Sequence, residues 1–120
     1  MAAPNIVNVA TITGESAGLA VTTSATAIVI NAASSGKVFK INSLTIANVN
    51  GTTAADITAD VYKNQTTAFR IAFTISVPAD STLVLISKDT SIYLEENDSI
   101  RLTSSANSIL EALCSFEEIS

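Results

Sequence analysis

AFRIAFTISV, residues 68–77, alternates without interruption: Phe69, Ile71, Phe73, Ile75 and Val77 fall on one parity, and Arg70, Ala72, Thr74 and Ser76 on the other. Successive side chains of an extended chain point to opposite faces, whereas a helical face would repeat its apolar residues at spacings of three and four. The stretch therefore reads as a strand. Its odd-numbered row is expected to face inward and to supply the core with its largest side chains.

The same rhythm continues on both sides. Downstream, Val77-Pro78-Ala79-Asp80-Ser81-Thr82 is a break, because proline cannot donate to a ladder and Asp and Ser favour turns. Leu83 to Ser87, Ile92 to Glu95, Ser99 to Thr103 and Ser108 to Glu117 then read as further strands. Upstream, Lys63 to Thr67 is a polar loop, and Asp56 to Tyr62 alternates with Ile57, Ala59 and Val61 on the inner face. Asn50-Gly51 favours positive φ, so a hairpin is expected there, pairing residues 56–62 back on the strand before it. In that earlier strand the apolar parity shifts from Phe39 and Ile41 to Leu44 and Ile46, which predicts a bulge or corner near Asn42 and Ser43. Gly18 to Thr23 and Ala27 to Asn31, interrupted at residues 23–25, read as one bent strand or two short ones, and residues 5–13 are expected to form a first strand followed by a turn at residues 13–16.

Many short strands with turn signals every 8 to 12 residues or so, and no helical stripe, indicate an all-β protein. The expected fold is an antiparallel β-sandwich of about eight strands, jelly-roll-like, with an Ig-like sandwich and a closed barrel as the other arrangements of the same rhythm. A chain of 120 residues holds one core, so residues 1–120 are expected to form a single domain with a short N-terminal arm of about residues 1–5.

Composition narrows the function. Hydrophobic residues make up 48% of the chain, yet no apolar run approaches the roughly 20 residues of a spanning helix, so no membrane partner is expected. Eleven acids oppose six scattered bases, for a net charge of -5, which argues against a nucleic-acid partner, since phosphates call for a concentrated basic surface. Residues 1–4 lack a secretory signal's basic and apolar regions, so synthesis in a cytoplasm is expected. Histidine and tryptophan are absent, which removes Ser-His-Asp and Cys-His catalysis and histidine metal centres. No catalytic residue and no cofactor is expected, and the chain is read as a non-enzyme. Cys114, the single cysteine, shares an inward row with Leu110, Ala112 and Phe116 and reads as a buried structural thiol.

The remaining candidates are acids. Glu95, Glu96 and Asp98 are close enough in sequence to suggest a calcium site, but they lack the D-x-D-x-D-G pattern with its distal glutamate. The favoured reading is a solvated hairpin connection, with Ile92 and Leu94 facing Ile100 and Leu102. Asp56 and Asp60 read as a solvated strand face, with a subunit contact as the alternative, and Glu117 and Glu118 carry the same pair of readings.

Residues 37–120 resemble the small β-sandwich virion proteins of tailed bacteriophages. The resemblance is carried by the V-P-A-x-S-T-L turn at Val77 to Leu83, by Y-L-E-x-x-D-S-I-R at Tyr93 to Arg101, and by the aliphatic last strand ending in E-I-S at Ser120. It implies a virion structural role: a capsid decoration, or cement, protein that stabilises the head, or alternatively a neck, tail or fibre module that binds a host receptor or glycan. It also implies a homo-oligomer, with a trimer favoured, that contacts the major capsid protein or other virion proteins, is made in the host cytoplasm and is located in the virion.

Overall fold

A computed structural model describes residues 9–120, and the expected N-terminal arm, with the start of the expected first strand at residues 5–8, lies outside the described residues. The strands are β1 (Ile12–Ala20), β2 (Thr26–Ile30), β3 (Val38–Asn48), β4 (Ala55–Lys63), β5 (Thr67–Val77), β6 (Thr82–Ile86), β7 (Ile92–Leu94), β8 (Ser99–Ser104) and β9 (Leu110–Ile119), with one 3-10 turn at Lys88–Thr90. They form two antiparallel sheets. The first is ordered β1-β9-β3-β6 with β7 also on β3, and the second β2-β8-β4-β5. β6 and β7 share one lane, since β6 pairs residues 44–47 of β3 and β7 pairs residues 39–41. Eight lanes in this order, with the chain crossing repeatedly between sheets, make a jelly roll.

The core between the sheets is aliphatic. Ile41, Leu44 and Ile46 from one sheet meet Ile57, Ile100 and Leu102 from the other, all at 0% exposure. Each such side chain contributes about 1.5–3 kcal/mol relative to exposure. Phe39 and Phe116 add a stacked pair on neighbouring strands of the first sheet, with centroids 5.5 Å apart.

The bulge expected near Asn42 and Ser43 is present: the β3 register on β9 slips between Ile41 and Ser43, which lets Phe39 and Ile41, then Leu44 and Ile46, all point inward. β9 likewise buries Leu110, Ala112, Cys114 and Phe116 as one row. Four local expectations are corrected. Gly14, Glu15 and Ser16 lie within β1 and pair with Glu117, Phe116 and Ser115; on an outer strand these small and polar residues meet water, so no turn is needed. The connection through Asn50-Gly51 is not a hairpin, because β3 and β4 belong to different sheets. There the Asn50 Oδ1 accepts from the N–H groups of Thr52 and Thr53, and the buried Asn48 donates to the carbonyls of Thr53 and Val77, which bends the chain from one sheet to the other. The tight hairpin is β4–β5, where Asn64 and Gln65 both take φ of 53° and the Thr66 N–H donates to the Lys63 carbonyl. The connection from β7 to β8 is also a crossing between sheets rather than a hairpin, although Leu94, Ile100 and Leu102 face inward as expected.

The largest correction concerns β5 itself. Between Ile57↔Ile75 and Ala59↔Ala72, Phe73 and Thr74 oppose the single Thr58; between Ala59↔Ala72 and Asp60↔Arg70, Ile71 is inserted with no partner. Thr74 sits at φ 50°, and its N–H leaves the ladder for the Thr58 hydroxyl. Two insertions reverse the facing twice, so the five-residue row cannot share one face. Ala72 and Val77 are buried, while Phe69, Phe73 and Ile75 are 60%, 61% and 43% exposed. β5 is also the outermost strand of its sheet, so even Phe69, opposite Val61, and Ile75, opposite Ile57, keep an uncovered side.

Candidate functional site

The acids of the β7–β8 crossing are distributed among separate donors. Asp98, only 2% exposed, accepts from the Lys63 ammonium at 2.6 Å, the Asn64 N–H at 2.9 Å and the Glu95 N–H at 3.0 Å. Glu95 reaches the same Lys63 at 3.1 Å from an exposed position, and Glu96 accepts from the Gly36 N–H at 3.1 Å. Asp98 and Glu95 thus hold the β4–β5 hairpin, and Glu96 holds the β2–β3 connection. Among the described residues no group of three acids converges as a metal site, so Glu95, Glu96 and Asp98 act here as fasteners between loops. The carboxylates of Asp98 and Glu95 hold Lys63 protonated above its ordinary range, Asp98 being the stronger influence.

Asn31 completes this corner. It is fully buried, donates from Nδ2 to the carbonyls of Lys37 and Leu94, and accepts from the Ser35 hydroxyl. Its backbone exchanges hydrogen bonds with Asp98 and Asn97. The sequence reading missed Lys63, Asn64 and Asn31. They lie on different connections, and no local pattern couples them.

The outer face of the β2-β8-β4-β5 sheet holds a second cluster. Asp60 is 4% exposed and accepts from Arg101 Nε at 3.0 Å and Nη2 at 3.2 Å, and the guanidinium lies over the Tyr62 ring at 3.8 Å. This corrects the solvated reading of Asp60: a planar cation seals it from water on the face it was expected to share with solvent. Asp56, two turns of the pleat away, is half-buried in a shallow groove of about 180 Å3 with Thr58, Thr74, Thr103, Ser104 and Ser105. Arg70 lies over the ring of the exposed Phe73 at 5.3 Å.

On the first sheet, Glu118 accepts from Lys37 at 2.7 Å and hydrogen-bonds Glu15. The shared hydrogen bond holds the Glu15 carboxyl above its ordinary range and Glu118 below it, and Lys37 reinforces the lowering. Glu117 accepts from the Asn42 amide at 3.1 Å. Cys114 is free and fully buried, and burial pushes its thiol up to about 11, far from a nucleophile's range.

No helix of the described residues is long and apolar enough to cross a membrane. No family model matches the chain, and no curated protein matches it. In fold the chain is similar to a solved structure described by the words "Bacillus endospore appendages form a novel family of disulfide-linked pili", with a TM-score of 0.54 and 17% sequence identity over 92% of this chain and 88% of that one. At that identity the likeness is one of β-sandwich architecture.

Proposed function

We propose that this protein is a non-enzymatic structural subunit of a multi-copy assembly, and specifically a virion protein that decorates the head of a tailed phage. The observation that carries the reading is β5: the outermost strand of its sheet leaves Phe69, Phe73 and Ile75 open to water. Large apolar side chains gathered on one edge are costly to leave wet and are usual where another protein packs. Val84 and Leu113, each opposite Thr45 in the first sheet, add a second exposed pair, 59% and 54% accessible. Glu95, Glu96 and Asp98 are engaged in holding loops, which suits a rigid building block.

The resemblance of residues 37–120 to phage β-sandwich proteins supports the specific form. The fold likeness to a structure described as pili supports the general one, a jelly roll used for building. The disulfide linkage named there does not transfer to Cys114, which is inside the core. In the proposed arrangement a homotrimer sits on the head lattice, and many modest contacts to the major capsid protein add up across the shell. Cryo-electron microscopy of particles is the test. Density for this chain across the head lattice is the expected result; density only at the neck or tail would replace decoration with an appendage role, and particles without it would reject a virion role.

A further inference from the structure

We propose that β1 is an interface strand: two copies of this chain pair their β1 strands antiparallel about a two-fold axis at Ser16 and so join their first sheets into one. The contact is separate from the β5 surface and independent of the virion reading. It rests on which edge of the sandwich is left fit for pairing.

Two open sheets have four edge lanes, here β1, the lane of β6 and β7, β2 and β5, and each exposes backbone groups that another strand can take. Three of the four are unfit for it. β5 is broken by two insertions and by Thr74 at φ 50°. β2 has five residues and a register slip between Ala27 and Val29. The lane of β6 and β7 is split into pieces of five and three residues on either side of the 3-10 turn, and β6 itself slips against β3. Bulges, interruption and short length are the usual means of blocking an edge. β1 has none of them: its nine residues run in unbroken register with β9, without proline, lysine or arginine.

The ladder with β9 shows which groups are left over. Thr11 and Ser120 exchange both backbone hydrogen bonds, and the Val21 N–H donates to the Leu110 carbonyl. Antiparallel pairs alternate between bonded and non-bonded, so the odd-numbered residues of β1 bond β9. Ile12, Gly14, Ser16, Gly18 and Ala20 therefore direct their N–H and C=O groups to the open edge. Among the described residues no strand or side chain takes those groups.

The occupant follows from length and pattern. Only another β1 offers an uninterrupted strand of nine residues, and a two-fold axis at Ser16 lets all nine pair, with each facing pair of edge residues exchanging two hydrogen bonds. Gly14 then faces the partner's Gly18, and Ile12 faces the partner's Ala20. Glu15, the one charged residue of β1, faces the partner's Ala17 rather than a second carboxylate. The glycines suit the same contact. Neither takes positive φ, and a Cβ would meet nothing within 4 Å at Gly14 and only the Ala112 carbonyl oxygen, at 3.8 Å, at Gly18. Nothing within the described fold calls for glycine there, whereas close approach of another backbone does.

The test is the solution mass of the full chain, measured in a Phe69→Lys, Phe73→Lys background so that the β5 surface does not contribute. A dimer is expected, with the Gly14, Ser16 and Gly18 amides slow in hydrogen exchange. Ser16→Lys and Ser16→Asp each set like charges directly opposite across the axis and should weaken the dimer by about tenfold or more, and an equal mixture of the two should restore it. Ser16→Pro removes an outward N–H without touching the β9 ladder, so that variant should fold normally and be monomeric. A monomer at every concentration, a dimer indifferent to these substitutions, or a mixture no tighter than either variant alone would overturn the proposal. Slow edge amides in a monomer would assign the edge to residues 1–8 and overturn it as well.

Discussion

Replacing Asp98 with alanine should cost far more than replacing either neighbouring glutamate. The carboxylate is 2% exposed and serves two backbone donors, the N–H groups of Asn64 and Glu95, in addition to Lys63. Each backbone N–H that loses a charged acceptor in a buried corner costs about 1.5 kcal/mol. The Lys63 pair adds little, about 0–1 kcal/mol, because the lysine side chain is 38% exposed and water screens the charge. The expected loss is about 3–4 kcal/mol, a large part of the ~5–15 kcal/mol that holds a domain folded. Melting should fall by about 10–15 °C for a chain of this size. Asp98→Asn should recover little: Oδ1 can still accept from Asn64, but the amide nitrogen then confronts two donors, Lys63 and the Glu95 N–H. Glu95→Ala, at a side chain 74% exposed, should change stability by less than about 0.5 kcal/mol. Glu96→Ala should cost about 1 kcal/mol through the Gly36 N–H. Urea unfolding of the four variants, with and without calcium, measures the series. An Asp98→Ala loss within 1 kcal/mol of that of Glu95→Ala would refute the reasoning, as would a wild-type midpoint raised by calcium and lowered again by chelator.

Three further outcomes are expected. Phe69→Lys and Phe73→Lys should leave protomer stability within about 1 kcal/mol, since both side chains are already exposed, while reducing the oligomer mass seen by light scattering; unchanged mass in the double variant would remove β5 from the assembly surface. Lys63 has its pKa raised in the folded state by Asp98 and Glu95, so its contribution is complete below the unfolded value of about 10.5 and is lost as pH rises through the higher folded value; the stability gap between wild type and Lys63→Met, from urea midpoints, should shrink above that pH and stay constant between pH 7 and 9. Cys114, buried with its thiol pushed up to about 11, should resist iodoacetamide at pH 8 in the native protein and react readily in urea; fast native alkylation would contradict its place in the core.

Much of the fold is legible residue by residue. Alternation in β9 and the parity shift in β3 are local properties of the chain, and the structure keeps both, the latter as the bulge between Ile41 and Ser43. The β5 stretch shows the boundary of that method. Its alternation identifies a strand correctly, yet the facing fails, because bulges are set by the register with β4 and exposure by the absence of a strand beyond β5. Asn50-Gly51 likewise carries a real turn signal, but whether a turn closes a hairpin or crosses between sheets depends on which sheet takes the next strand. The candidate site was less legible still. The acids Glu95, Glu96 and Asp98 could be named, but their donors Lys63, Asn64 and Gly36 lie on other connections.

Taken alone, the sequence determined an all-β chain of this strand rhythm, with no histidine chemistry and an inward Cys114, because periodicity and composition are properties of neighbouring residues and of counts. The tertiary structure decided the jelly-roll order, which acids are fastened and which are free, and the exposure of Phe69 and Phe73. Those depend on contacts between segments far apart in the chain, and backbone hydrogen bonding, which looks much the same for any pair of strands, does not by itself encode which partner is chosen.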